Sequence, residues 1–164
     1  QLSNNDKKTL GIGKISDLFG EDYLHESIHT EGDENGMQIL LQNYKSEDYD
    51  FYFINLVDLD MLYGHREDPK GYYEGLKIID RQLSKLIDNL HDDDVLIITG
   101  DHGTDPTDGK TDHSREYVPF VIYKNDINPK NIGSGNTFAN IASTISEFYG
   151  LENIFPGKSF IQDI

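Results

Sequence analysis

The chain contains no cysteine and no tryptophan among its 164 residues. Without thiols it can form neither disulfides nor thiolate metal sites, so any bound metal must be held by oxygen and imidazole ligands. Basic side chains are also scarce: 14 lysines and arginines stand against 30 acidic residues, which gives a formal net charge of −16. This charge argues against nucleic acid or an anionic membrane as a partner.

Long apolar runs are missing as well. No stretch approaches the ~20 apolar residues that span a bilayer, and the first residues, QLSNNDKKTLGIGK, lack the apolar core of a signal peptide. These absences predict a cytoplasmic protein. A hydrophobic content of 36% in clear short runs nevertheless indicates a chain that folds, and its length fits one domain.

The apolar pattern is typical of an α/β protein. Buried strands are predicted at 50–57, 95–99 and 117–123, and the first of these is predicted to be central in the sheet. Helical periodicity or capping signals mark two clear helices, at 69–90 and 137–150, the second closed by Gly150. Weaker patterns predict a strand-like or turn segment at 10–20, a strand at 27–30 and a helix at 33–45. Such alternation indicates a largely parallel sheet flanked by helices.

Polar residues follow these strands, at the edge where open α/β sheets bind ligands. The first strand is followed by Asp58, Asp60 and His65, and the second by Asp101 and His102. A third histidine, His113, stands next to Asp112 in the loop that follows. Each of the three histidines is accompanied by an aspartate, a mixture of ligands that suits a divalent first-row ion.

Other acidic and histidine residues are given a structural interpretation. HDDD at 91–94 is predicted to be a solvated turn between a helix and a strand. His25, His29 and His91 are assigned to structural hydrogen bonding, because a lone loop histidine is more often that than a ligand.

Adjacent ligands point to two metal ions. Asp101 and His102 project to opposite sides of an extended backbone, and flanking Gly100 and Gly103 permit a tight turn between two sites. Two ions ~3.5–4 Å apart clamp a phosphoryl group, so phosphoryl transfer is the leading chemistry. Mixed imidazole and carboxylate ligation favours Mn²⁺ or Zn²⁺ over Ca²⁺, and the oxygen-rich character favours Mn²⁺.

Three segments resemble the phosphopentomutase family in order and spacing: NLVDLDMLYGHRED, IITGDHGTDPTDGKTDHSREYVPFVIY and NTFANIASTISEFYG followed by PGKSF. The resemblance covers most of residues 10–160. It implies an alkaline-phosphatase-like core in which Asp101 and His102 bind one metal ion and Asp60, His65 and His113 bind a second, with Mn²⁺ as the metal. Asp58 is placed outside this ligand set.

The resemblance also implies that parts of the enzyme lie outside this sequence. The family's N-terminal strand with its metal-binding aspartate, its threonine nucleophile and its cap domain have no counterpart, so residues 1–164 correspond to the C-terminal part of the core domain. The missing N-terminal part would be the partner of this chain, and a pentose phosphate its substrate. Thr104, Thr107 and Thr111 are not assigned as the nucleophile.

Three cations are candidates for contacts with phosphate: Arg66 and Arg115, which stand beside metal ligands, and Lys14 in GIGKISD. An arginine flanked by acidic residues is more often a salt-bridge partner, so that interpretation stays open. Two alternative functions also stay open: a related metallo-phosphatase or phosphoglycerate mutase, and a metal-binding or partner-binding module without catalytic activity.

Overall fold

A computed structural model describes residues 1–164, apart from the side chain of Glu21. The elements, in chain order, are β1 Thr9–Ile12, α1 Ile15–Phe19, β2 Glu26–Ile28, α2 Asp33–Ser46, β3 Phe51–Ile54, a π-helical turn Leu59–Gly64, α3 Pro69–Ile87, β4 Leu96–Thr99, β5 Phe120–Tyr123 and α4 Ala139–Phe148. Short 3₁₀ turns lie at Ser3–Asn5, Glu21–Tyr23 and Ile161–Asp163. The predicted strands and helices are therefore confirmed in position and type, except that the segment 10–20, predicted to be strand-like or a turn, contains the short helix α1 after β1. None of the helices in the described residues is both long and apolar enough to cross a membrane.

The chain divides into two compact units. The first comprises Gln1–Asn89 and Asp101–Val118, and the second comprises Leu90–Gly100 and Pro119–Ile164. Every predicted metal ligand belongs to the first unit.

The first unit is built on a parallel sheet with the strand order β2-β1-β3. The predicted parallel sheet is thus confirmed, but β1 and not β3 lies in its centre. Leu10 and Ile12 of β1 are fully buried, whereas Phe53 of β3 is 41% exposed. Gly11 breaks the apolar pattern of β1, because a Cβ there would lie 2.5 Å from Leu24 Cδ1.

The side chains of β3 alternate between two differently covered faces. On one face the Tyr52 hydroxyl donates to the backbone oxygen of Asn43 at 3.1 Å, so this face packs on α2. On the other face the ring of Phe53 lies 6.2 Å from the ring of Phe19, at the end of α1. Helix α3 packs on α2 and on the π-helical turn. Its predicted apolar stripe is only partly buried, since Leu76 is 45% exposed.

The second unit pairs β4 with β5 in an antiparallel two-stranded sheet. These two strands therefore do not extend the parallel sheet. A parallel pair needs a crossover that returns the chain to the same end, usually through a helix, and the described residues 100–119 contain no helix. With one partner each, Leu96, Ile97 and Ile98 are half-buried and not fully buried as expected.

Helix α4 holds the C-terminal segment through a polar clamp. The Ser143 hydroxyl donates to Gly157 O at 2.9 Å, Lys158 N donates to the Asn140 side chain at 3.0 Å, and Phe160 N donates to the Thr144 hydroxyl at 2.9 Å. Ser143 and Thr144 are at most 1% exposed. The clamp accounts for glycine in PGKSF, because a Cβ on Gly157 would lie 2.2 Å from the backbone of Ala139.

The predicted glycine cap of α4 is also confirmed. Gly150 has a φ of 65°, and its N–H donates to Glu147 O at 3.0 Å. Leu151 N donates to Ser146 O at 2.8 Å, which completes a Schellman motif and ends the helix.

The clamp predicts that Thr144→Val destabilises the chain by about 1–3 kcal/mol, because it leaves the buried Phe160 N–H without its acceptor. Denaturant unfolding at equilibrium measures this loss. Thr111→Val changes an exposed threonine in the same way and is expected to stay within about 0.5 kcal/mol of the parent. Equal stability of the two variants would contradict the clamp.

Candidate metal centre

The first part of the site is the π-helical turn that follows β3. His65 N donates to Asp60 O at 2.9 Å across five residues, which closes the wide turn and carries both side chains to one side. The turn rests on the first turns of α3, where a Cβ on Gly71 would lie 2.4 Å from the ring of Tyr63. The N-terminus of α3 is capped by Asp68, whose carboxylate accepts from Gly71 N at 2.9 Å.

The second part of the site is the loop from Asp101 to Val118. Gly103 and Ser114 form an isolated antiparallel bridge, and Ser114 N donates to Gly103 O at 3.0 Å. Glycine permits this approach, because a Cβ at 103 would lie 2.8 Å from Ser114 O. The bridge brings the preceding residues together, so the rings of His102 and His113 stack with centroids 3.7 Å apart.

The two parts converge on Asp60. Ligand atoms of Asp60, His102 and His113 all lie within 4.8 Å of one another. His113 Nε2 lies 3.5 Å from Asp60 Oδ1, and His65 Nε2 lies 3.2 Å from Asp60 Oδ2. The Asp60 and His65 side chains are 27% and 37% exposed, so a small ion can reach them from solvent. The other nitrogen of His65, Nδ1, contacts Thr111 O, which fixes the orientation of its ring.

Thr104 and Gly64 are two residues whose role here was not foreseen from the sequence. The Thr104 hydroxyl donates to Asp60 Oδ1 at 3.4 Å and lies 3.5 Å from His102 Nδ1, so it links the two parts of the cluster. Gly64 makes room for it, because a Cβ there would lie 2.5 Å from the Thr104 methyl group. The only available signal was the glycine before His65, which by itself does not reveal what it faces.

The pKa of Tyr72 on α3 is affected by the charge of Asp60 in the cluster. Burial, followed by the negative charge of Asp60, raises the pKa of the Tyr72 hydroxyl above its ordinary value of 10.0. The phenol therefore stays protonated at neutral pH. The sequence predicted only that Tyr72 lies within the helix at 69–90.

Asp101 and Asp58 lie outside the three-residue cluster. The Asp101 side chain is 71% exposed, and its Oδ1 lies 3.6 Å from His102 Nε2. Asp58 accepts a hydrogen bond from the backbone N–H of Asp33 at 2.8 Å, so its carboxylate serves the N-terminus of α2. His102 is thus grouped with Asp60 and His113 as well as with Asp101.

The three cationic candidates differ in what they contact. Lys14 Nζ lies 2.9 Å from Met61 Sδ, which puts the ammonium against the π-helical turn. Arg66 and Arg115 are exposed, and within the described part of the chain neither forms an ion pair. The guanidinium groups are therefore not occupied by the salt bridges that the sequence left open.

Thr107 and the remaining three histidines make their contacts outside the cluster. Thr107 donates to the Asp105 carboxylate through its backbone N–H and its hydroxyl, at 2.8 and 2.7 Å. His25 Nδ1 accepts from Thr9 N at 3.2 Å, as a structural hydrogen-bonding role predicts. His29 lies 3.8 Å from a carboxylate oxygen of Asp17, and His91 lies in the predicted turn at 91–94.

Comparison with known proteins gives one matching family and a set of close relatives. The model described as "Metalloenzyme superfamily" matches residues 11–153. The phosphopentomutase of Alkaliphilus metalliredigens is 43% identical in an alignment that covers 94% of this chain. That of Carboxydothermus hydrogenoformans is 47% identical over 96% of the chain. The phosphopentomutase of Acetivibrio thermocellus is 41% identical to 98% of it. The chain spans only 40–42% of the length of these three relatives.

Two solved structures share the fold. A phosphoglycerate mutase of Leishmania mexicana, crystallised at low cobalt concentration, superposes with a TM-score of 0.68 over 92% of this chain and 36% of its own, at 21% identity. The PH0037 protein of Pyrococcus horikoshii superposes with a TM-score of 0.61 over 75% of this chain and 34% of its own, at 25% identity. The phosphoglycerate mutase likeness agrees with the alkaline-phosphatase-like core expected from the sequence.

The cluster predicts that His113→Ala weakens Mn²⁺ binding by more than the ~10–100-fold that loss of an outer-shell partner costs, since it removes a ligand atom. The free Mn²⁺ signal in electron paramagnetic resonance measures the affinity. The melting temperature is expected to change little, because His113 lies exposed in a loop.

His91→Ala is the matched control, since His91 is also exposed and lies in a turn outside the cluster. It is expected to leave Mn²⁺ affinity unchanged. If the two variants bind Mn²⁺ alike, His113 is not a ligand.

Proposed function

Because the chain belongs to the metalloenzyme superfamily, we propose that it is the C-terminal, metal-binding part of a phosphopentomutase. Such an enzyme interconverts the 1-phosphate and 5-phosphate of ribose or deoxyribose. The observation that carries the proposal is the convergence of Asp60, His102 and His113. These ligands come from the DMLYGHR, DHG and TDHSREYVP motifs, and phosphopentomutases are 39–47% identical over nearly the whole chain.

The donor set fits divalent metal ions. One carboxylate and two imidazoles within 4.8 Å of one another match the ligand preference of divalent first-row ions. We assign Asp60, His65 and His113 to one ion and Asp101 and His102 to a second, with Mn²⁺ as the metal. When bound, the ions would neutralise charge on a transferring phosphoryl group. The ring orientation set by the contact of His65 with Thr111 O prepares a nitrogen to ligate.

The chain's own cations would bind and orient the substrate. Lys14, Arg66 and Arg115 are exposed, and the two guanidinium groups are free of ion pairs among the described residues. A guanidinium donates two parallel hydrogen bonds to a phosphate, which fixes its orientation as well as its charge. Lys14, held against the π-helical turn by Met61, adds a point charge next to the ligand-bearing segment.

The remaining requirements of the reaction belong to the rest of a longer polypeptide. A phosphothreonine that carries phosphate between half-reactions and a cap that retains the bisphosphate are proposed to lie in the N-terminal part of the same enzyme, which is the partner of this chain. The pentose phosphate is the substrate, and neither nucleic acid nor a membrane is a partner. The isomerase class, a role in nucleoside salvage and the cytoplasmic location stay predictions.

The alternative functions have weaker support. The phosphoglycerate mutase is only 21% identical to this chain, so its similarity supports the fold alone. The phosphopentomutase of Acetivibrio thermocellus is 41% identical. The second alternative, a module without catalytic activity, concerns this chain taken alone. It is compatible with a catalytic role for the same residues in the longer enzyme.

The proposal predicts that the isolated chain shows no mutase turnover, because it lacks a group that holds phosphate between half-reactions. The assay incubates the purified chain with ribose 1-phosphate and Mn²⁺, and follows ribose 5-phosphate and free phosphate separately. At most, slow and Mn²⁺-dependent release of free phosphate is expected.

The longer enzyme provides the positive control. It is expected to convert ribose 1-phosphate but not phosphoglycerate, and to lose turnover with His113→Ala. Formation of ribose 5-phosphate by the isolated chain at roughly 1–10³ per second would contradict the assignment as a part of the enzyme. Turnover of phosphoglycerate and not of the pentose phosphate by the longer enzyme would favour the alternative.

A further inference from the structure

The N-terminus of α2 and the start of the π-helical turn lie head to head. Helix termini leave backbone N–H groups without partners, and a side chain at the N-cap normally satisfies one of them. Neither element has such a cap of its own. The N-cap of α2 is Gly32, which has no side chain, and the N-cap of the π-helical turn is Asp58, whose side chain does not accept from its own turn.

Instead, the aspartate at the start of each element accepts from the backbone of the other. Asp58 Oδ2 accepts from Asp33 N, the first residue of α2, at 2.8 Å. In return Asp33 Oδ1 accepts from Val57 N at 2.6 Å and from Asp58 N at 3.0 Å, immediately before the turn. Asp33 is only 6% exposed. These three bonds form a closed exchange, which we call the aspartate clamp.

Gly32 makes the clamp sterically possible. It has a φ of 121°, a conformation that other residues rarely adopt, and a Cβ at this position would lie 2.9 Å from Asp58 Oδ2. Because Gly32 has no side chain, the Asp58 carboxylate can reach the N-terminus of α2 and accept from Asp33 N.

Burial of Asp33 has a cost that its hydrogen bonds partly offset. Desolvation, the largest cause, raises the pKa of Asp33 above 3.8, and the negative charge of Asp58 raises it further, while the hydrogen bonds from the backbone N–H groups of Asp58 and Val57 lower it. A buried carboxylate at such a position is therefore held by its geometry and not by favourable solvation.

The segment that the clamp fixes is the one that carries the metal ligands. Met61 N donates to Val57 O at 2.9 Å, so the backbone held by Asp33 begins the π-helical turn directly. Asp60 lies two residues beyond Asp58, and His65 closes the same turn. A shift at Val57 is expected to propagate to both ligands.

We propose that Asp33 is a positioning residue for the metal centre: through Val57 and Asp58 it fixes the start of the turn that bears Asp60 and His65. It acts through backbone amides and does not itself ligate. The inference rests on the metal centre of the proposed function.

The test compares Asp33→Ala with Asp33→Asn. Alanine removes the acceptor, whereas asparagine keeps an oxygen at the same position. We expect Asp33→Ala to weaken Mn²⁺ affinity ~10–100-fold, as loss of an outer-shell partner does, and Asp33→Asn to stay close to the parent. Leu40→Ala is the matched control, since it empties a buried position on the same helix without touching the clamp. It is expected to lower the melting temperature and leave Mn²⁺ affinity unchanged.

Affinities are measured well below the melting temperature of each variant. Parent-like Mn²⁺ affinity of Asp33→Ala overturns the proposal, and so does an equal loss of affinity in Leu40→Ala, which would show a general effect of stability. If Asp33→Ala does not fold, hydrogen exchange of the unaltered chain decides: the amides of Val57 and Asp58 are expected to be protected, and exchange at the rate of exposed loop amides overturns the clamp.

Failure of the proposed function has a different signature. If the unaltered chain binds no Mn²⁺, the metal centre fails in this chain, and amide exchange alone tests the clamp. Faster exchange of Met61 and His65 in Asp33→Ala than in Leu40→Ala then supports the positioning role, and equal exchange in the two variants overturns it.

Discussion

The site depends on the close approach of two backbone segments that carry candidate metal ligands from distant parts of the sequence. The π-helical turn brings Asp60, and the loop bridged between Gly103 and Ser114 brings His102 and His113. Both approaches rely on glycine: Gly103 lies against the backbone of Ser114, and Gly64 lies against Thr104. Ligand geometry is therefore determined mainly by packing of the main chain, which is stiffer than a set of rotatable side chains.

Carboxylates in this acidic chain serve different purposes according to what surrounds them. Asp60 faces imidazoles that can share a cation with it, whereas Asp33 and Asp58 accept backbone N–H groups where α2 and the π-helical turn begin. Burial, and after it the negative charge of Asp60, raises the pKa of Tyr72, so this one carboxylate also acts on a neighbouring side chain. A net charge of −16 therefore says little about which acidic residue binds a metal.

The sequence predicted the elements well because apolar periodicity and glycine caps are local signals, as α3 and the end of α4 show. It also predicted that polar residues after the strand ends come together, and Asp60, His102 and His113 do form one cluster. It failed where pairing is long-range: the central position of β1 was hidden by Gly11, and the antiparallel pairing of β4 with β5 depends on a connection without a helix. The roles of Thr104, Gly64 and Asp33 were beyond it, since each depends on a neighbour more than 20 residues away.

The width of the π-helical turn limits how the gene can change. His65 is the fifth residue after Asp60, and in an ordinary α-helix that spacing would direct the two side chains about 140° apart. The hydrogen bond from His65 N to Asp60 O spans one residue more than an α-helical bond does, and it keeps the two side chains within reach of each other. Deletion of one codon between them would leave a spacing of four residues, which an ordinary α-helix also holds on one face, whereas an insertion would leave six and direct the side chains about 120° apart. The pairing of these two side chains should therefore tolerate a shorter segment better than a longer one.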